Sequence, residues 1–139
     1  MVSVGSKKIV GLVEWVTVIG EKGQVRKKAL LDTGATHTSV DLMIAAKAGL
    51  GPVVASTKIK SKTSPKGYVR RAVVLGEIEL RGKRIKTKMN LEDRQGMSNK
   101  ILIGRDVIHS NFLVDVEKTH QSHKLEDEKN RNRGFDKNA

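Results

Sequence analysis

The chain has 139 residues, no cysteine and a formal charge of +12, with 27 Lys and Arg against 15 Asp and Glu. That length suits one domain with a modest core, and the missing thiols exclude disulfides and thiolate metal sites and fit a reducing compartment. Lys7, Lys8 and Glu14 interrupt the apolar start, so no secretory segment is expected over Met1–Val18, no stretch has the length of a membrane span, and a cytoplasmic protein is expected.

In chain order, Val2–Leu12 and Val13–Ile19 read as strands rich in β-branched residues, followed by a turn at Glu21-Lys22-Gly23-Gln24 and a strand over Val25–Leu31. Ser39 is placed to cap a helix over Val40–Ala48, with Gly49 just past its end and Leu42, Ile44 (or Met43) and Ala46 on its inner face. Lys58-Ile59-Lys60-Ser61-Lys62 alternates, so three lysines share one face of a strand. Ser64-Pro65-Lys66-Gly67 has the residues of a type I turn, and Tyr68–Leu75 returns as the partner strand. A second hairpin joins Ile78–Leu80 to Ile85–Leu91 through Arg81-Gly82-Lys83. Gln95–Asn99 reads as a loop, Lys100–Ile103 as a buried strand, Arg105–Ser110 as a helical turn and Asn111–Val116 as a last strand. The domain is expected over residues 1–117, and the polar stretch 118–139 as a disordered charged tail.

The positive charge is uneven. Thr57–Lys88 holds eleven Lys and Arg against Glu77 and Glu79, whereas Val116–Ala139 holds six against five acidic residues. Such a one-sided surface attracts anions, whether nucleic acid, acidic lipid or acidic peptide. A merely solubilising, Lys-rich surface is the plain alternative.

Ala29-Leu30-Leu31-Asp32-Thr33-Gly34-Ala35 is an apolar strand running into a tight turn that presents one carboxylate. Asp-Thr-Gly alone is more often a simple turn, since all three residue types favour turns. Four features set this one apart: the apolar lead-in, Ala35, the helix signal after Ser39, and the later run Ile101-Leu102-Ile103-Gly104-Arg105. Two carboxylates held about 3 Å apart cannot both ionise; they share one proton, one serving as base toward a water and the other as acid toward a substrate carbonyl. Were Asp32 one member of such a pair, a single copy per chain would call for a homodimer with the site on its two-fold axis. Gly34 and Ala35 are small enough for two turns to meet. Thr33 is placed to reach the opposing loop, and Gly104 to admit a close neighbour. Arg105 either grips a substrate carboxylate or braces the Asp32 loop.

Leu31-Asp32-Thr33-Gly34-Ala35 with Leu102-Ile103-Gly104-Arg105 resembles the retropepsin-like aspartic peptidases. Glu14-Trp15-Val16, Arg71-Ala72-Val73, Asp93-Arg94 with Met97, and Phe112-Leu113-Val114-Asp115 bring it closest to the RimB-type, RimK-associated group often labelled "ATP-dependent zinc protease". The resemblance implies an all-β, closed retropepsin-like barrel with one short helix, forming a homodimer. It also implies Asp32 as the catalytic residue, supported by Thr33, Gly34, Ala35, Gly104 and Arg105, and trimming of poly-glutamate tails. The zinc and ATP labels find no residues to carry them. His37, His109, His120 and His123 share no element and have no Cys partners, and no phosphate-cradling Gly loop is present, so no metal and no cofactor are expected.

The hairpin around Ser64–Gly67 falls where retropepsins carry their flap. An acidic substrate there would meet Lys60, Lys62, Arg70, Arg71 and Arg94, with Arg71 and Arg94 as the carboxylate clamps. For the lysines singly, a solvated face or a guarded strand edge is as good a reading. Two other functions compete. A nucleic-acid-binding module has the charge, but Trp15, Tyr68, Phe112 and Phe135 are too scattered for a stacking platform. A non-catalytic dimerisation or peptide-binding module of the same fold is the other.

Overall fold

The computed structural model describes residues 6–118. Its strands are Lys8–Val10 (β1), Val13–Gly20 (β2), Gly23–Leu31 (β3), Ser39–Asp41 (β4), Val53–Lys60 (β5), Tyr68–Leu80 (β6), Lys83–Glu92 (β7), Ile101–Ile103 (β8) and Phe112–Val114 (β9). Its helices are Leu42–Ala48 (α1) and Arg105–Ile108 (α2). Strands β2, β3, β8, β4, β7 and β6 are hydrogen-bonded in that order, and β6 returns to β2 through Thr17↔Glu79, Val18↔Ile78 and Ile19↔Glu77. The result is a closed six-stranded barrel, which leaves no free edge among those strands. β5 hangs on the outside of β6, and β1 pairs with β9 in a separate parallel ribbon.

Period-two alternation fills the barrel. Val16 and Val18 of β2, Ala29 and Leu31 of β3, Ile78 and Leu80 of β6, Met89 of β7 and Ile101 and Ile103 of β8 point inward and are buried. Each of the larger side chains contributes about 1.5–3 kcal/mol by leaving water.

Three local expectations change. The helix starts later than expected. Ser39 and Val40 are drawn into β4, where Ser39 sits opposite both Asn90 and Leu102, and Asp41 caps α1 by accepting the Met43 N–H at 3.0 Å. The buried face of α1 is therefore Ile44, Ala45 and Ala48, packed on β2 and β3, while Leu42, Met43 and Ala46 are exposed. Second, Tyr68–Leu80 is one strand rather than two. Gly76 does not break it; a Cβ there would lie 3.0 Å from Leu50 Cδ2 and Met89 Cε, so the glycine makes room for packing. Third, the fold has two short helices, not one, because Arg105–Ile108 closes a full helical turn. The expected hairpin turn is present: Arg81 and Gly82 both have positive φ, as a two-residue turn between Leu80 and Lys83 requires. Positions 119–139, expected as a disordered tail, lie outside the described residues.

Candidate active site

Strand β3 delivers Asp32 to the end of the barrel. It runs parallel to β8, Leu31 opposite Ile103, and the Asp32 N–H donates to the Ile103 carbonyl at 2.8 Å. The chain then turns sharply: the Ala35 N–H donates to the Asp32 carbonyl at 3.1 Å, and the Gly34 N–H to Asp32 Oδ1 at 2.9 Å. Asp32 is half-buried and Thr33 and Gly34 are exposed.

Gly104, Arg105 and Asp106 hold this turn from behind. The Arg105 N–H donates to the Ala35 carbonyl at 2.8 Å, and its guanidinium donates to the Thr33 carbonyl and to Thr36 Oγ1, both at 3.0 Å. Thr38 Oγ1 donates to Asp106 Oδ1 at 2.7 Å and accepts the Gly104 N–H at 3.1 Å. A Cβ on Gly104 would lie 2.6 Å from the His37 carbonyl, so only glycine permits this approach. Arg105 thus braces the Asp32 loop. His37 extends from the same loop with Nδ1 3.9 Å from Asp106 Oδ2.

Beside the turn lies a cavity of about 360 Å³ lined by Ala35, Thr36, His37, Ser39, Ile59, Arg71, Asn90, Glu92, Arg94 and Leu102. Its polar floor is the buried pair Ser39 and Asn90. Glu92 receives two arginines, Arg71 Nη2 at 2.7 Å and Arg94 Nη1 at 2.7 Å, so two guanidinia are held by one carboxylate and one positive charge remains in excess. Of the five cationic residues expected to meet substrate, Arg71 and Arg94 line this cavity. Lys60 and Arg70 do not: Ile59 and Arg71 face in, so their sequence neighbours face out. Lys62 lies beyond β5, in the connection to β6, and does not share the strand face of Lys58 and Lys60.

Asp41 fixes the segment that carries Arg94. Its buried carboxylate accepts the Arg94 N–H at 2.8 Å, the Met43 N–H at 3.0 Å and Gln95 Nε2 at 2.5 Å. Burial alone pushes this carboxyl upward, but the hydrogen bonds, led by that from Arg94, outweigh it and hold the pKa below the usual carboxylate value. Sequence reasoning missed Glu92, Asp106, Thr38 and Asp41. Asp106 had a signal in its place directly after Gly104-Arg105, and Asp41 in being a second capping residue two positions after Ser39. Among the described residues, no group of three His, Cys, Asp or Glu side chains gathers as a metal site; His120 and His123 lie outside them. No helix among them is long and apolar enough to cross a membrane.

A closed six-stranded barrel carrying an Asp-Thr-Gly turn against an Ile-Leu-Ile-Gly strand defines the retropepsin-like aspartic protease fold. More narrowly, the chain belongs to the RimB-like family, described as retropepsin-like aspartic endopeptidase RimB, whose model matches residues 45–124. That match begins beyond the Asp32 turn. Among solved structures, a Legionella pneumophila protein with unknown function (DUF785) is 28% identical at a TM-score of 0.59, covering 84% of this chain and 99% of its own. EIAV protease, solved with the inhibitor HBY-793, is 23% identical at a TM-score of 0.53, covering 69% of this chain and 83% of its own. No curated protein matches the chain.

Proposed function

We propose that this protein is an aspartic peptidase that works as a homodimer and cleaves acidic, poly-glutamate-like segments. In this reading two copies bring their Asp32 turns together across a two-fold axis, and one proton is shared between the two carboxylates. The observation that carries it is the Asp32 turn itself: Thr33 and Gly34 are exposed at its tip, Asp32 Oδ1 is oriented by the Gly34 N–H, and Arg105 clamps the loop from behind. The β1–β9 ribbon adds an exposed apolar pair, Ile9 opposite Leu113, of the kind a second copy would cover. Substrate choice follows from the cavity beside the turn, whose excess positive charge on Arg71 and Arg94 suits a substrate carboxylate.

The test incubates purified protein and its Asp32→Asn variant with poly-glutamate and with neutral peptides, and reads products by mass. The expected result is cleavage of the acidic chain by the wild type alone, weakening as salt is added. No cleavage by a dimeric wild type would overturn the enzyme reading. An acidic peptide bound equally by both forms and never cut would identify a non-catalytic peptide-binding module of this fold.

A further inference from the structure

We infer that the outward face of the β5–β6 hairpin is a second anion-binding surface, which holds the part of an acidic peptide chain that lies outside the cavity. This rests on the proposed entry of an acidic chain beside Asp32. Ile59 and Arg71 wall the cavity, so Lys58, Lys60 and Arg70 stand on the opposite side of the hairpin, with Lys58 directly across from Arg70 and Lys60 across from Tyr68. Lys62 and Lys66 extend the charge around the connecting turn. No Asp or Glu occurs between Val53 and Leu75. Among the described residues none of these five cations has a carboxylate within ion-pair distance; Arg70 Nη1 reaches only Ser56 Oγ at 3.3 Å.

Packing on the Tyr68 ring, with Lys58 Nζ 4.4 Å and Arg70 Cζ 6.0 Å from its centroid, accounts for two of these cations but not for Lys60, Lys62 and Lys66. Like charges directly opposite one another destabilise a strand pair. Lysines guarding a free edge would account for β5, and the same reading extends to Arg70, because the Tyr68–Ala72 stretch of β6 is paired with β5 alone; it does not reach Lys62 and Lys66, which lie in the connecting turn. Alternate residues along a strand repeat at about 6.6–6.8 Å, and alternate glutamates of an extended peptide repeat at the same distance. Lys58 and Lys60 therefore form a ladder in step with such a chain. Single-stranded nucleic acid fits less well. It needs an aromatic face for its bases, and the ring of Tyr68 already has Lys58 Nζ 4.4 Å from its centroid.

The experiment measures binding to the full-length Asp32→Asn protein by fluorescence anisotropy at low salt, with labelled deca-glutamate, tri-glutamate and single-stranded deca-uridylate as probes. It compares the triple variant Lys58→Ser/Lys60→Ser/Arg70→Ser with a control of equal charge loss elsewhere, Lys22→Ser/Lys47→Ser/Lys86→Ser. Three exposed ion pairs predict that deca-glutamate binds the hairpin variant about tenfold more weakly. The control is expected to bind it within about twofold of the parent, and tri-glutamate, short enough for the cavity, to bind all three alike. Equal weakening in the control, no weakening in the hairpin variant, or no deca-glutamate binding to the parent overturns the surface. So does loss of deca-uridylate binding alone, which would assign the face to nucleic acid. Binding as expected without any cleavage by the wild type leaves the surface standing and removes only the enzyme reading.

Discussion

Arg105 donates from Nη1 to the Thr33 carbonyl at 3.0 Å, across a sequence separation of 72 residues. Its second terminal nitrogen takes Thr36 Oγ1, so one planar guanidinium spans both sides of the Asp32 turn. A lysine cannot reproduce that fork. Arg105→Lys is therefore expected to lose about 1 kcal/mol of stability, read as a lower urea midpoint at unchanged slope. In the proposed enzyme it lowers turnover more than it raises KM, because it acts on the position of Asp32 rather than on substrate. An unchanged midpoint and unchanged turnover would show that the brace is dispensable.

Two glycines separate contact from conformation. Gly104→Ala forces a methyl group to 2.6 Å from the His37 carbonyl, a backbone atom that has no rotamer to escape into. The expected loss is about 1–3 kcal/mol, with the Asp32 loop displaced. Gly67, at the hairpin tip, has φ of 79° and nothing within 4 Å of a Cβ. Gly67→Ala costs only the left-handed backbone, about 1–2 kcal/mol, and leaves the Asp32 loop in place. Chemical denaturation ranks the two, and amide exchange over Asp32–Thr38 tells them apart: protection falls for Gly104→Ala and holds for Gly67→Ala.

Asp41 sets an acid limit on the fold. Its folded pKa lies below the unfolded value of 3.8, so the stabilisation it gives is fully present above that pH and is lost as pH falls through the folded pKa. Asp41→Asn keeps the shape but removes the charged acceptor of the Arg94, Met43 and Gln95 hydrogen bonds. At neutral pH the variant is expected to be about 1–3 kcal/mol less stable. Below pH 3.8 its midpoint approaches that of the wild type. Parallel pH profiles for the two proteins would contradict this assignment.

The strands and the Asp32 turn were legible because their signals are local. The β-branched run Val13–Ile19, the strand Val25–Leu31 after its Gly-containing turn, the Ser64–Gly67 turn and the Gly49 helix stop each depend on neighbours in sequence. What was hidden depends on partners far away. Ser39 looked like a helix cap, but pairing with Asn90 and Leu102 claimed it for a strand. Tyr68–Leu75 and Ile78–Leu80 read as two strands, and what joins them is Gly76, whose missing side chain makes room for Leu50 and Met89. Of the three lysines expected on one strand face, Lys58 and Lys60 share it and Lys62 falls beyond the end of β5; which side that face turns to is set by β6 and the cavity, not by the stripe. Arg71 and Arg94 were singled out by type, but nothing in a linear reading joins them to Glu92.

That junction yields the last prediction. Glu92 has a side chain only 13% exposed and serves two guanidinia at once, while that of Arg94 is 8% exposed. Removing the carboxylate leaves the nearly buried Arg94 guanidinium without its countercharge, whereas removing Arg71 leaves Glu92 still paired with Arg94. Breaking a buried pair at one end costs about 3–5 kcal/mol, and partial exposure of this one brings the expected loss for Glu92→Gln toward the lower end. Arg71→Met, which keeps the length and apolar stem of the side chain, should cost about 1 kcal/mol or less. Their effects on substrate are expected to run the other way: Arg71→Met raises KM for an acidic peptide and leaves that for a neutral peptide unchanged, while Glu92→Gln, with two cations released from their shared partner, lowers KM for the acidic one. Equal stability losses in the two variants, or a KM shift that ignores peptide charge, would mean that Glu92 is not the group that sets the free charge of the cavity.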